Sequence, residues 1–209
     1  MTTNLILVRH GQTAWNRQER FRGRSDLPLD ETGVAQAQAA ARHIAARWSV
    51  AAVYASPLPR ALQTAAAIAV ACGLTVQPLP GLVDVDYGDW QGLTPEEVVQ
   101  RDPEQYRLWL SAPQRARIPG GESLLAVRRR AFAALRQVAA RHDGQTIVLV
   151  SHLVICRLLL LAVLGLPTAR YWRIRQDTAA INVLEYAEGQ FTLVTLNDTC
   201  HLGAGKLGA

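Results

Sequence analysis

The sequence predicts an α/β layered fold built on a mostly parallel sheet, and three observations carry that prediction. Leu5-Ile-Leu-Val8 is an unbroken apolar run that stops at the pair Arg9-His10, and Thr146-Ile-Val-Leu-Val-Ser-His152 repeats the device. Short all-apolar runs of this kind read as strands buried on both faces. Strand-like and helical patterns then alternate along the chain, as they do where helices cover a parallel sheet. No internal repeat, low-complexity tract or long linker interrupts residues 1–209, so one domain is expected.

Composition narrows the function classes. Hydrophobic residues make up 49% and charged ones 19%, the balance of a globular chain. A net charge of +5 raises the question of nucleic acid. The basic residues are scattered, however, and the one tight cluster, Arg128-Arg129-Arg130, reads as a solvated helix face. No nucleic-acid partner is expected, and the charge suits small anionic substrates instead. Cys72, Cys156 and Cys200 are odd in number and widely spaced, with no Cys-x-x-Cys pair. They predict reduced cytoplasmic thiols, with no disulfide framework, metal or cofactor. The start of the chain lacks a basic leader region and runs directly into the first strand, as no signal peptide does. The most apolar stretch, residues 153–166, is shorter than the ~20 residues a bilayer requires and carries Arg157, so no membrane span is expected.

The elements follow in order. After the strand at 5–8, Arg9 and His10 sit at its carboxyl end and Gly11 opens a loop where backbone can approach a ligand. Residues 17–29 form an arginine-rich loop containing Arg22 and Gly23, fit either to border an anion site or simply to meet solvent. Helical spacing of Val34, Ala37, Ala41, Ile44, Ala45 and Trp48 marks a helix over 31–48, in which His43 has a surface or packing role. A strand over 50–55 ends at Ser56-Pro57, where Ser56 is expected to cap and Pro57 to begin a helix over 57–72, with Arg60 in its first turn. A third strand, 74–77, leads into the acidic, glycine-rich segment 81–92. Residues 94–111 look helical but broken at Pro103, and Glu122-Ser123 opens a helix to about Arg141. After the strand ending at His152 come a helix over 153–164 and a hairpin of 181–186 and 191–196 at the sheet edge.

Three predicted strand ends thus deliver Arg9-His10, Ser56 leading to Arg60, and His152 to one side of the sheet, beside the acids Asp84, Asp86 and Asp89. Phosphoryl transfer needs an in-line nucleophile, donors for three equatorial oxygens and a proton for the leaving oxygen. A histidine, two arginines with a second histidine, and a carboxylic acid match those needs in kind.

The motifs Leu-Val-Arg-His-Gly-Gln-Thr-Ala-Trp-Asn (7–16), Ser-Pro-Leu-Pro-Arg-Ala-Leu-Gln-Thr-Ala (56–65), Tyr-Gly-Asp-Trp-Gln-Gly (87–92), Gly-Gly-Glu-Ser (120–123) and Val-Ser-His (150–152) resemble the histidine phosphatase superfamily, also called phosphoglycerate-mutase-like, in content and order. The resemblance implies a three-layer α/β/α sandwich with its site at the carboxyl ends of the strands. It implies His10 as the nucleophile that becomes phosphohistidine, with Arg9, Arg60 and His152 on the phosphoryl oxygens and Asn16 adding a polar contact. The family usually places a glutamate before its Gly-x-Trp motif; here the matching residue is Asp84, one methylene shorter, expected as acid and then base, with Asp86 or Glu122 as substitutes. Mutases of the family tend to read Glu-Arg-His-Tyr-Gly where this chain has Asp84-Val-Asp-Tyr-Gly88, so a phosphatase is favoured.

The tail Asn197-Asp-Thr-Cys-His-Leu-Gly203 and Leu153 after Ser-His look similar to metal-independent phosphoserine phosphatases. Those enzymes tend to have histidine where Tyr87 stands. Tyr87, Arg22, Leu153 and His201 are expected on the leaving-group side, although His201 is equally well read as a tail histidine in solvent.

The sequence therefore predicts a metal-independent phosphomonoesterase acting on a small phosphorylated metabolite, phosphoserine or a sugar or glycerate phosphate. A mutase and a catalytically weak phospho-ligand binding module are the alternatives. The apolar carboxyl-terminal hairpin could pair two subunits as a homodimer.

Overall fold

A computed structural model describes residues 1–203. Six strands, β1 (Thr3–Arg9), β2 (Val50–Ala55), β3 (Val76–Pro78), β4 (Thr146–Ser151), β5 (Ile181–Ala187) and β6 (Gln190–Asp198), form one sheet in the order β3-β2-β4-β1-β5-β6. β3, β2, β4 and β1 pair in parallel, and β5 joins antiparallel to both β1 and β6. Seven α-helices are present among the described residues: α1 (Ala14–Arg17), α2 (Glu31–Arg47), α3 (Pro59–Ala71), α4 (Pro95–Arg101), α5 (Pro103–Ser111), α6 (Leu124–Arg141) and α7 (Leu153–Val163).

The two-residue period of the strands sorts their side chains into two cores. Leu5 and Leu7 of β1, with Ile147 and Leu149 of β4, pack toward Leu135 of α6 and Leu158 of α7. Ile6, Val8, Val148 and Val150 face the other way, onto Ala41 and Ile44 of α2 and Ala65 and Ile68 of α3. Every one of these strand residues is fully buried, which is why their sequences show apolar runs and not alternation. Helices on both faces make the expected three-layer α/β/α sandwich. No helix among the described residues is long and apolar enough to cross a membrane.

The structure corrects several local expectations. α3 begins two residues late: Leu58 is its N-cap and Pro59 its first residue. Ser56 is no cap, because its hydroxyl is engaged with His152 (2.7 Å), and the second proline offers the same pre-set φ for the first turn. The third strand is displaced to Val76–Pro78, where Pro78 is harmless on an edge strand. Val34 faces solvent; α2 instead buries Gly33, Gln36, Ala37, Ala40, Ala41 and Ile44. The arginine triplet is not a solvated face either. Three consecutive helical residues sweep about 200°, and Arg128 donates to the Leu166 carbonyl while Arg130 turns back to the acidic segment.

Candidate active site

In the sheet order β2-β4-β1, the three strands whose ends carry polar side chains are neighbours. Register fixes those ends together: the His10 N–H donates to the Ser151 carbonyl (2.9 Å) and the Ser56 N–H to the Val150 carbonyl (3.0 Å). The chain therefore sets Arg9, His10, Ser56 and His152 by backbone pairing, before any side-chain contact is counted. The His10 and His152 rings lie 5.2 Å apart, and both are buried.

His10 Nδ1 lies 2.6 Å from the Gly11 carbonyl. A carbonyl only accepts, so Nδ1 carries the proton and Nε2 is left with its lone pair. Nε2 is buried and has no hydrogen-bond partner. Burial, then the charges of Arg60, Arg9 and Arg22, hold the ring well below the usual histidine pKa. The imidazole is thus neutral and presents one free nitrogen, as a nucleophile must. His152 is likewise held neutral by burial and by Arg60; its Nε2 meets Ser56 Oγ, and its Nδ1 lies 3.6 Å from Asp84 Oδ2.

Asp84 is buried and receives Arg60 Nη2 on Oδ2 (3.1 Å) and the Val85 N–H on Oδ1 (2.9 Å). Burial pushes its carboxyl above the ordinary aspartate value, against the pull of Arg60 and Arg22. A raised pKa suits a group that must hold and then deliver a proton. The two possible substitutes are committed elsewhere. Glu122 binds Arg130 through both carboxylate oxygens and accepts the Asp86 N–H; burial raises its pKa, but those bonds together with Arg24 bring it below the ordinary value. Asp86 accepts the Gly88 N–H and pairs with Arg24.

The segment bearing Asp84 is anchored from α6. Arg130 donates to the carbonyls of Gly81, Val83 and Asp84, and Ser151 Oγ to that of Leu82. Gly88, at φ +47°, is so close to Pro119 and Gly120 that a Cβ there would lie 2.1 Å from the Pro119 carbonyl oxygen. The glycine motifs at 87–92 and 120–123 thus press two loops backbone to backbone and hold the acid beside Arg60 and His152.

A cavity of about 610 Å³ opens over this centre. Among the residues proposed from sequence, Arg9, Asn16, Arg22, Asp84, Tyr87 and Leu153 line it. His10, Arg60 and His152 are buried and are not part of the lining. Gly11 and Gly23 are not in the lining and serve through backbone. Gly11 meets Gly33 of α2, where a Cβ would come within 2.5 Å of the carbonyl oxygen, and its own carbonyl orients His10. Gly23 gives its carbonyl to Arg60 Nη2 (2.7 Å). Asn16 accepts from the Thr13 N–H and hydroxyl, fixing the turn after Gly11.

His201 is not brought to the cavity. It packs on His43 of α2, ring centroids 5.3 Å apart, and with Cys200 forms a group whose ligand-type atoms lie within 4.8 Å of one another. The tail turns back onto α2, which draws His201 away from the sheet ends. All three cysteines are free.

Residues the sequence reading missed form the far wall: Trp109 of α5, Arg157 of α7, Tyr171 and Trp172 of a 3-10 turn (Thr168–Arg173), and Thr178. Arg157 gave one usable signal, a charge within an otherwise apolar helix, which is costly to bury without a reason.

Nine buried side-chain nitrogen or oxygen atoms among the described residues have no hydrogen-bond partner, and six belong to Arg9, His10, Arg22, Arg60, His152 and Arg157. Native proteins seldom leave such groups unpaired, and those that are unpaired call for an explanation. Here they converge on one site, and five of the six residues are arginines or the histidine paired with Ser56.

A buried neutral histidine beside arginines at parallel strand ends is a constellation whose chemistry suits phosphoryl transfer. The chain belongs to the histidine phosphatase superfamily (branch 1), whose family model matches residues 5–199, and it is an enzyme of the phosphatase class. It is 38% identical over 199 residues to "Phosphoserine phosphatase 1" of Hydrogenobacter thermophilus, covering 95% of this chain and 94% of that one. It is 36% identical to "Probable phosphoglycerate mutase GpmB" of Yersinia pestis, covering 95% and 94%. Among solved structures, Bacillus stearothermophilus YhfR superposes with a TM-score of 0.92 at 30% identity, covering 96% of this chain and 99% of that one.

Proposed function

We propose that this protein hydrolyses small phosphomonoesters without a metal, through a phosphohistidine formed on His10. The observation that carries the reading is a buried, neutral His10 whose Nε2 is unprotonated and unpartnered, under the charges of Arg60, Arg9 and Arg22, which like His152 also have unpartnered buried nitrogens. A phosphoryl group has negative oxygens for Arg9, Arg22, Arg60 and His152, and a phosphorus for Nε2 to attack in line. Protonated Asp84 gives its proton to the leaving oxygen, so an alcohol departs and the P–N bond replaces the P–O bond. The resulting carboxylate then takes a proton from water, whose oxygen attacks phosphorus and returns His10 with release of phosphate.

The names of the relatives place phosphoserine and phosphoglycerates among the first substrates to try. The test is turnover in EDTA of nitrophenyl phosphate, phosphoserine, the phosphoglycerates, ribazole phosphate and fructose bisphosphate, with His10→Ala beside the wild type. We expect His10→Ala to lose about 10⁴-fold or more on every substrate, with intact-mass analysis finding a phosphoryl adduct only on the wild type. Appreciable turnover by the variant would remove His10 as nucleophile. Stimulation of the wild type by a trace of bisphosphoglycerate, with phosphoglycerate isomerised and not hydrolysed, would make it a mutase. Phosphate binding with no turnover of any ester would make it a binding module.

A further inference from the structure

Three arginines of the cavity lining are left unused by phosphoryl chemistry: Arg17 pairs with Asp30 and Arg20 with Glu97, whereas Arg157 has no ion pair among the described residues. It sits on α7 one turn beyond Leu153, so both side chains share the helix face that lines the cavity. Its Nε donates to the Ile174 carbonyl (2.7 Å), and its guanidinium lies over the rings of Tyr171 and Trp172, 4.9 and 5.0 Å from their centroids. Its Nη1 is buried with no hydrogen-bond partner. A stacked, tethered guanidinium is pre-organised, so little freedom is lost when it binds an anion.

Its place differs from that of the other arginines. The charges of Arg9, Arg22 and Arg60 act on both His10 and His152. The charge of Arg157 bears instead on Arg9, Tyr87 and Tyr171, and Asp84 also bears on Tyr87. Asp84, Tyr87 and Arg157 line the same cavity, and Tyr87 is joined through Trp109 (5.7 Å) to Tyr171 (5.5 Å), the ring under Arg157, so a leaving group protonated at Asp84 opens onto the wall that carries Arg157. The nearby acid on that wall, Asp177, is already bound to Arg175 and Asn197 and does not neutralise Arg157.

We propose that Arg157 binds a carboxylate carried by the leaving alcohol, so that the site selects phosphate esters of small hydroxy acids. The inference rests on the phosphatase reading for the placement of the ester, and a planar carboxylate matches the guanidinium fork that a single point charge would not use.

The experiment uses matched pairs that differ in the carboxylate: phosphoserine against phosphoethanolamine, and 3-phosphoglycerate against glycerol 3-phosphate. Wild type, Arg157→Met and Arg157→Lys are compared by kcat/KM, with nitrophenyl phosphate reporting an intact phosphoryl site. Arg157→Met is expected to lose about 10²-fold on the acid of the preferred pair and to stay within about threefold on its carboxylate-free partner and on nitrophenyl phosphate. Arg157→Lys should recover part of the loss. Equal losses on both partners, or a wild type indifferent to the carboxylate, would overturn the proposal. Stronger dependence on Arg157 for fructose bisphosphate than for either acid would reassign the subsite to a second phosphate. Calorimetric binding of the same pairs to His10→Ala, with and without Arg157→Met, keeps the two ideas separable. If nothing is hydrolysed, the phosphatase reading fails, and an Arg157-dependent preference for the acid in binding still supports the subsite, while its absence removes it.

Discussion

The phosphoryl end of the cavity and its opposite wall are built by different means. At the first, Arg9, His10, Ser56 and His152 are set by three adjacent strands that are buried toward their carboxyl ends, and Arg60 by the first turn of α3. At the second, Phe21, Tyr87, Trp109, Tyr171 and Trp172 come from loops, short turns and α5, and hold one another through edge-on ring contacts. The centroid distances are 5.0 Å for Phe21–Tyr87, 5.7 Å for Tyr87–Trp109 and 4.9 Å for Tyr171–Trp172. Backbone pairing leaves little freedom to vary the first end, whereas loops accept exchange of side chains. Changes at the phosphoryl end should therefore cost every substrate alike, and changes in the wall should discriminate among them.

Asp84 stands at the junction and gives the largest expected departure from that simple division. Asp84→Asn keeps the shape of the side chain but removes the transferable proton. On alkyl phosphates, whose leaving oxygen needs protonation, we expect kcat/KM to fall about 10²–10⁴-fold. On nitrophenyl phosphate, a loss of about tenfold or less is expected, because nitrophenolate leaves unprotonated. Equal losses on both would mean that Asp84 acts by holding Arg60 (3.1 Å) and not by moving a proton.

Ser56→Ala tests the phosphoryl end more gently. Its hydroxyl is the one hydrogen-bond partner of the His152 ring in the described structure, 2.7 Å from Nε2. Losing it frees the ring to reorient, and a misplacement of a fraction of an ångström is enough to slow chemistry. The expected loss is about tenfold in kcat, the same for nitrophenyl phosphate and for phosphoserine. A loss confined to one of them would move Ser56 from positioning His152 to contacting the leaving group.

The same division explains what could be read before the structure. The strand ends were legible because a two-sided buried strand leaves a continuous apolar run and its last residues are polar for a reason. One such break is weak evidence; the repetition at His10 and His152, with Arg60 at a helix start, marks them as candidates, and the family resemblance implies their roles. Asp84 needed the family resemblance, since nothing local separates it from Asp86 or Asp89. Apart from Tyr87 and Leu153, which came with the family resemblance, the wall was not legible, because Trp109, Arg157 and Tyr171 come from segments far apart in sequence and meet only through tertiary packing. Arg130 was misread for the same reason: its partners are the Gly81, Val83 and Asp84 carbonyls, and backbone acceptors leave no trace in composition. Ser56-Pro57 failed as a helix start through local competition, a nearby Pro59 and a histidine that takes the serine.

The smallest effect concerns stability, and its sign follows from the two buried rings. In the unfolded chain His10 and His152 titrate near 6.5. In the folded chain burial and the surrounding arginines keep both neutral well below that. As pH falls below 6.5 the unfolded chain takes up protons that the folded one does not, so stability falls with pH, by about 1.4 kcal/mol per unit for each ring until its folded pKa is reached. Asp84 has the opposite sign: its folded pKa is raised, so between 3.8 and that value the folded chain holds the extra proton and gains stability as pH falls. His43 and His201 are also lowered, by burial first, and add to the histidine trend. Comparison of variants isolates one ring. Between pH 7.5 and 5.5, urea unfolding of His10→Ala should lose about 1.4 kcal/mol less stability than wild type. Arg157→Met, on the other wall, should keep the wild-type slope. An unchanged slope in His10→Ala would mean that the ring is protonated in the folded chain at pH 5.5, and its free nitrogen would then not be available for attack in that range.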